Sequence, residues 1–204
     1  MKIITTQLSA INQKIINLIS KFLLEGKVIV YPTDTCYGIG ALAFNQKAVE
    51  KVYLIKGRNF KKPLSIIVEN LKVIPRFAYL NSWQEQILRE KLPGPYTFIL
   101  KRKKIMPDIL TAGGENIGIR IPDFTLTQKI SRKIKIPFTA TSANLSGNPP
   151  SYSIQKFLKQ IKKNQILPDL ILDVGDLPYN ETSTVIDLTQ KELKILRGGN
   201  KNLV

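Results

Sequence analysis

Lys27-Val28-Ile29-Val30-Tyr31 is a short run of apolar residues that favour β-structure, and a polar, glycine-containing loop (residues 32–40) follows it directly. A run of this length and composition predicts an interior strand. Because ligands of open α/β sheets bind beyond the carboxyl ends of strands, residues 32–40 are a candidate binding loop. The simpler alternative is a turn in which Asp34 and Thr35 satisfy nearby backbone amides.

The rest of the chain alternates between helical and strand patterns. Helices are predicted where apolar residues recur at helical spacing or a capping residue starts the segment: 9–25, 45–55, 82–92 (with Ser82 and Glu85 as a capping box), 123–134, and one starting at Ser153. Further strands are predicted over short apolar runs: 64–68, 96–101, 117–121, 138–141, 170–174, 183–188 and 192–196. This interleaving indicates one α/β domain over residues 1–204, and the short turns between the last strands indicate a mixed sheet.

Composition limits both the chemistry and the expected location. The 204 residues include no His and one Cys, so no internal disulfide framework is possible and a reducing cytoplasm is expected. Without a His to activate it, Cys36 is not expected to be a catalytic thiolate. The apolar runs are strand-sized and the first residues lack a signal-peptide pattern, so no membrane segment is expected.

The formal net charge is +16, from 31 Lys and Arg against 15 Asp and Glu. One interpretation is an anionic partner, either a nucleotide or a nucleic acid. The other is compositional, because the chain is rich in Lys, Ile and Asn, and such a bias raises the net charge without any ligand. Composition leaves both interpretations open.

Two polar motifs follow predicted elements of the fold. Lys56-Gly57-Arg58 ends a predicted helix, where it would grip phosphate or would only complement the helix dipole. Ser142-Ala143-Asn144 follows Thr139-Ala140-Thr141, and a strand so poor in bulk lets a ligand approach its backbone. An ordinary polar turn is the alternative at the second motif.

Two more arginines are candidates for ligand binding. Arg120 lies on a predicted strand, where it would fix a carboxylate with two hydrogen bonds or would be an outward-facing charge on an edge strand. Arg197 ends the last predicted strand, as a further phosphate contact or as part of a frayed basic tail. Together the motifs favour a phosphate-rich ligand that is held by fixed charges rather than attacked by a side chain.

In this order along the chain, the motifs resemble the YrdC family, the threonylcarbamoyl-AMP synthases. The resemblance extends from about Ile11 to Arg197. It rests on seven segments: residues 30–38 (Val30-Tyr31-Pro32-Thr33-Asp34-Thr35 with Tyr37-Gly38), 56–58, 63–64, 93–98, 118–122, 141–147 and 183–187. Each segment is weakly specific alone, and the seven together are a strong signal.

The resemblance implies a twisted, open sheet with flanking helices and a basic concave face. The family's catalytic tetrad corresponds to Lys56, Arg58, Ser142 and Asn144. The positions implied for ATP are Arg58, Lys62, Asn116, Ser142, Pro150 and Arg197. Those implied for threonine are Thr35, Arg120, Ala140 and Ser183. The chain departs from some relatives at Cys36, Asn59 and Ile67, which bears on fine substrate contacts.

The resemblance also implies an activity, that of a nucleotidyltransferase. L-threonine, bicarbonate or CO2, and ATP would give threonylcarbamoyl-AMP and pyrophosphate. A threonylcarbamoyl transferase complex would then use the threonylcarbamoyl-AMP to modify adenosine 37 of tRNA. Mg²⁺ would accompany ATP, with no dedicated protein metal site. The alternatives are a YciO-like paralogue or an RNA-binding protein of the same fold without synthase activity, and direct tRNA binding stays open.

Overall fold

The computed structural model describes residues 1–162 and 166–199, and within them it contains ten strands and six α-helices. The strands are β1 (Lys2–Thr5), β2 (Ile29–Tyr31), β3 (Gly38–Gly40), β4 (Ser65–Ile67), β5 (Tyr96–Lys101), β6 (Asn116–Arg120), β7 (Phe138–Ser142), β8 (Leu170–Asp173), β9 (Thr184–Asp187) and β10 (Lys194–Arg197). The helices are α1 (Gln13–Leu24), α2 (Gln46–Lys56), α3 (Ser82–Lys91), α4 (Asp108–Thr111), α5 (Thr125–Ile134) and α6 (Ile154–Ile161). Two 3₁₀ turns lie at Leu8–Ala10 and Leu71–Arg76.

All ten strands join in one mixed sheet with the order β1-β8-β2-β3-β7-β4-β6-β5-β9-β10. The pairs β1/β8, β2/β8, β4/β6 and β5/β9 are parallel, and the other five are antiparallel. This confirms the predicted α/β class and the mixed sheet. In the described parts of the chain, no helix has the length and apolarity that crossing a membrane requires.

Strand β3 corrects the prediction that residues 32–40 are all loop, because Gly38–Gly40 pairs with both β2 and β7. The glycines are explained by Tyr31. A Cβ atom at Gly40 would lie 2.8 Å from the Tyr31 ring, and one at Gly38 would lie 3.1 Å from it. Glycine is therefore the residue that lets the buried tyrosine ring lie across the strand, and it does not mark a loop here.

Two hydrophobic cores form because residues of a strand alternate between the two faces of the sheet. Val28 and Val30 face one core, which includes residues of α2, α3 and α6. Ile29 and Tyr31 face the other core, which α1 and α5 cover. Helices α1 and α5 pack on this face near β8, β2, β7 and β4. Among the residues that the structure describes, no helix lines the same face over β6, β5 and β9.

The element boundaries differ from the predictions at several points. Helix α1 starts at Gln13 with Asn12 as its cap, and residues 8–10 form a 3₁₀ turn. The capping box of α3 consists of Asn81 and Gln84, one residue before the predicted pair. Strand β1 was not predicted, because its four residues are largely exposed and carry no buried alternation.

Candidate functional site

The uncovered half of the sheet face forms a cavity of about 360 Å³. Its floor includes small or polar residues that point from neighbouring strands to this face (Ser65, Thr97, Gly118, Arg120, Ala140 and Ser142), with the apolar Ile67, Ile99 and Val185 among them. A Cβ atom at Gly118 would lie 2.3 Å from Ser65 Oγ, so the floor is closely spaced where β4 meets β6. Ala140 and Thr141, from the strand predicted to let a ligand approach its backbone, line the cavity.

The loop after β2 is folded around one hydroxyl group. Thr33 Oγ1 accepts hydrogen bonds from the amides of Thr35 (3.1 Å) and Cys36 (3.3 Å) and donates one to the Cys36 carbonyl (2.7 Å). The prediction that Asp34 and Thr35 would satisfy local amides is therefore wrong in detail, because Thr33 does so. The Asp34 and Thr35 side chains are left to contact another strand.

That contact is with Arg120. Its Nη2 donates to Asp34 Oδ1 and to Thr35 Oγ1 (3.2 Å), and Arg120 is only 8% exposed. Arg120 lies on β6, an interior strand, so the edge-strand alternative is excluded. The carboxylate that it binds in the structure is the protein's own.

Two polar atoms of this ion pair are buried without a hydrogen-bond partner among the described residues. They are Arg120 Nε and Asp34 Oδ2. Unpaired buried polar atoms cost stability, and in native structures they mark sites that a ligand or water completes. Since Arg120 lines the cavity, its guanidinium group is suited to an acidic group of a ligand.

Lys56 lies beneath the cavity wall and does not line it. It is 1% exposed, and its Nζ donates to the carbonyls of Ser142 and Asn144 (3.1 Å for Asn144) and to Asn144 Oδ1 (3.0 Å). Burial, followed by the nearby Arg58 charge, lowers the pKa of Lys56 to about 7. Its donors are directed at the protein, so its position is that of a support for the Ser142–Asn144 turn.

The second predicted motif is held by the same network. Ser142 Oγ donates to Asn144 Oδ1 (2.6 Å), while Asn144 Nδ2 donates to the carbonyls of Leu145 (2.8 Å) and Asn148 (2.7 Å). Asn144 is buried at 7% exposure, whereas Ser142 lines the cavity. Of this motif, Ser142 is the residue that a ligand can reach.

Arg58 and Arg197 form two further walls of the cavity. Arg58 Nε and Nη2 donate to the carbonyls of Lys62 (3.2 Å) and Pro63 (2.9 Å). Arg197 Nη2 donates to the Ser183 carbonyl (2.7 Å) and to Ser183 Oγ (3.1 Å), so it is not part of a frayed tail. Burial lowers the pKa of both guanidinium groups, and in Arg197 the neighbouring charges of Arg120 and Arg58 lower it further.

Three arginines therefore line one partly buried cavity, with the Asp34 carboxylate paired to one of them. Cations that repel one another in a low-dielectric site are stabilised by an anionic ligand. Burial also raises the pKa of the Cys36 thiol, which keeps it protonated at neutral pH. In the described ranges, no group of three or more His, Cys, Asp or Glu residues is placed to hold a metal ion.

The remaining predicted residues divide into two groups. Thr35, Asn116, Ala140 and Ser183 line the cavity, whereas Lys62, Pro150, Lys56 and Asn144 do not. Sequence reasoning missed Thr97, whose hydroxyl lies 2.9 Å from Ser183 Oγ, and missed the role of Asp34. Alternation along residues 96–101 predicts that Thr97 and the buried Phe98 point to opposite faces of the strand. No signal in the sequence pairs Thr97 with Ser183.

Comparison with known proteins agrees with this architecture. The profile of the family described as "Telomere recombination" (Sua5_yciO_yrdC) matches residues 21–199. A Methanocaldococcus jannaschii protein, assigned provisionally as a threonylcarbamoyl-AMP synthase, is 40% identical over 187 residues, which is 92% of this chain and 86% of that protein.

Two solved structures share the fold. Pyrococcus abyssi Sua5, crystallised with L-threonine, superposes with a TM-score of 0.89 at 30% identity, covering 98% of this chain and 58% of Sua5. This chain thus spans little more than half of that relative. Escherichia coli YciO superposes with a TM-score of 0.84 at 27% identity, covering 98% of this chain and 95% of YciO. The profile match and the 40% identity show that the chain belongs to the Sua5/YciO/YrdC family.

Proposed function

We propose that this protein is a threonylcarbamoyl-AMP synthase, a nucleotidyltransferase that consumes L-threonine, bicarbonate or CO2, and ATP. The observation that carries the proposal is the cavity with three arginines, one of which has a buried donor without a partner. The relatives named above as synthases, and the Sua5 structure with threonine, support the same assignment.

The two sets of predicted ligand residues adjoin, as a reaction between ATP and threonine requires. Arg197, implied for ATP, is hydrogen-bonded to Ser183, implied for threonine. Ala140 and Ser142 stand two residues apart on β7 and both line the cavity. Reactants held on these groups would lie side by side, which lowers the entropic part of the barrier.

The proposed reaction needs no side-chain nucleophile. The threonine amine combines with CO2, losing a proton, or with bicarbonate, losing water, to give a carbamate. The carbamate oxygen attacks the α-phosphorus of ATP and releases pyrophosphate. Arg120 would hold the threonine carboxylate, and Arg58, Arg197 and Ser142 would hold ATP, with Asn116 at the rim. Positioning and charge neutralisation of this kind are the main sources of catalysis in phosphoryl-type transfers.

Lys62 and Pro150 do not line the cavity, and their contacts with ATP stay a prediction. Mg²⁺ would enter with ATP and be held by the phosphates, since Mg²⁺ sites commonly need few protein ligands. The product would pass to a threonylcarbamoyl transferase that modifies tRNA, in the cytoplasm.

The test is pyrophosphate release from ATP with bicarbonate, measured with and without L-threonine. Threonine-dependent release is the expected result, and L-serine shows how selective the cavity is. The absence of release with a correctly folded protein would overturn the proposal.

A YciO-like role is the second candidate. It is favoured by one observation, the near-complete mutual coverage with E. coli YciO. RNA binding that weakens steeply with salt, together with no threonine-dependent release, would support that role instead.

A further inference from the structure

A second depression lies at the other end of the β3/β7 ladder from the cavity. Gly38 pairs with Ser142 at the cavity end, whereas Leu42 bridges to Phe138 at the far end. Four residues of strand separate the two ends, or about 13 Å. The depression has a volume of about 470 Å³, and we call it the basic groove.

The floor of the basic groove is apolar and partly exposed. It consists of Leu42, Phe44, Phe77, Ile105, Ile136 and Pro137. Phe44 is 42% exposed and Ile105 is 59% exposed, and the Phe44 and Phe77 rings lie 6.2 Å apart in a tilted pair. Exposed apolar side chains that converge on one concavity are typical of interaction sites, whereas scattered ones are not.

The rim of the groove is cationic. Lys47, Arg76 and Lys135 line it, and no Asp or Glu is among its lining residues. Glu69 lines the adjoining depression, which also includes Arg76 and Lys135. None of the ion pairs in the described ranges includes any of the three cations. Arg76 instead lies over the Phe77 ring at 5.7 Å.

We infer that the basic groove docks an acidic segment of a partner protein, anchored by leucine or phenylalanine side chains. The charge complement of three cations on one rim is a carboxylate-rich chain, and the complement of the apolar floor is a set of aliphatic or aromatic anchors. This site is separate from the proposed synthase cavity and does not depend on it.

An acidic peptide fits the groove better than single-stranded RNA does. RNA-binding surfaces of that type stack successive bases on accessible aromatic faces. Here Phe77 is buried and carries Arg76 on its ring, which leaves Phe44 as the exposed ring, and the rest of the floor is aliphatic or proline.

The test is fluorescence anisotropy with a labelled 12-residue peptide that has Leu and Phe at positions i, i+3, i+4 and i+7 and Glu elsewhere. Two variants disrupt the groove, K47E/K135E at its rim and F44S/I105S on its floor. Matched controls make the same changes at exposed positions elsewhere, K14E/K156E and L24S/L54S. Labelled U12 RNA is titrated in parallel.

Each groove variant should weaken the peptide at least about tenfold, whereas each control should change its Kd less than about twofold. Threonine-dependent pyrophosphate release should be unchanged in all four variants, because the groove lies away from the cavity, and the melting temperature of F44S/I105S should fall about as far as that of its control L24S/L54S, because both replace half-exposed apolar side chains. Equal weakening in groove and control variants would mean non-specific charge attraction and would overturn the inference. So would no binding of the peptide, or loss of U12 binding in the groove variants with peptide binding intact.

Discussion

One face of the sheet consists of two regions that differ in how apolar their side chains are. Near β2 and β8 the face has Ile29, Tyr31, Leu170 and Leu172, and α1 and α5 cover it. Over β6, β5 and β9 the same face has Gly118, Arg120, Thr97, Ile99 and Val185, and no helix covers it within the described residues. Exposed apolar surface is unfavourable, so an all-apolar region needs a covering helix, whereas a region that mixes a glycine and polar groups with apolar ones is less costly to leave open. The site thus lies where the sheet face is less apolar.

The largest expected effect compares one buried residue from each region. Ile130→Ala in α5, at 0% exposure, should lower the free energy of unfolding by about 2–5 kcal/mol. Val185→Ala in the open region should lower it by only about 1 kcal/mol, because Val185 is half-buried beside the cavity. Urea denaturation of both variants checks this, and equal losses would show that the open region also supports the fold.

Arg58→Ala should lower activity strongly while leaving stability nearly unchanged, the reverse of what is expected for Ile130→Ala. Loss of one preorganised donor should lower kcat/KM for pyrophosphate release about 100–1000-fold, with little change in melting temperature. Lys61→Ala is the matched control, since that exposed lysine is nearby and does not line the cavity. Near-normal turnover of the Arg58 variant would show that Arg58 does not contribute to the reaction.

The buried Lys56, which supports the Ser142–Asn144 turn beside the cavity, should make the stability of the protein depend on pH. A pKa lowered to about 7, against 10.5 unfolded, means that between these values the unfolded chain binds more protons at this position than the native one. The stability of the wild type relative to Lys56→Met should therefore rise with pH above 7, by about 2 kcal/mol between pH 7 and pH 9. Paired denaturation curves at pH 6, 7, 8 and 9 measure it, and a flat difference would place the pKa outside this range.

Arg120→Lys tests the assignment of the threonine subsite. Lysine keeps the charge beside Asp34, so the fold should survive, but it loses the planar fork and the free Nε. We expect the KM for threonine to rise about tenfold and that for ATP to change less than about twofold. Initial rates with each substrate varied in turn separate the two, and equal increases would place Arg120 elsewhere.

The residues in these tests differ in how well their positions and contacts can be predicted from the sequence. Arg58, Ser142 and Arg120 follow from motifs, because charge and spacing are local properties. The pairing of Arg120 with Asp34 joins residues 86 positions apart, so it depends on strand order, which no local pattern contains. The depth of Lys56 is invisible for the same reason, since a lysine at a helix end is normally exposed. The strand over Gly38–Gly40 cannot be predicted from local sequence, because its glycines make room for the ring of Tyr31, which belongs to a different strand.

The smallest effect is expected for Cys36→Ser. The thiol is buried at the cavity wall and protonated, so serine should leave threonine-dependent turnover within about twofold of the wild type. A pyrophosphate assay with and without an alkylating reagent checks this. Complete inactivation by the substitution would indicate a chemical role for the thiol.

The pairing of β1 with β8 has a consequence for synthesis on the ribosome. Lys2 lies opposite Leu170, so the first strand has no partner until the eighth has been made. At about 5–20 residues per second, that interval lasts on the order of 10–30 s. Strand β8 is also one of the two neighbours of β2. Ile29 and Val30 therefore have no parallel partner for most of translation. Early apolar segments of a nascent chain with this topology are therefore natural targets for ribosome-associated chaperones.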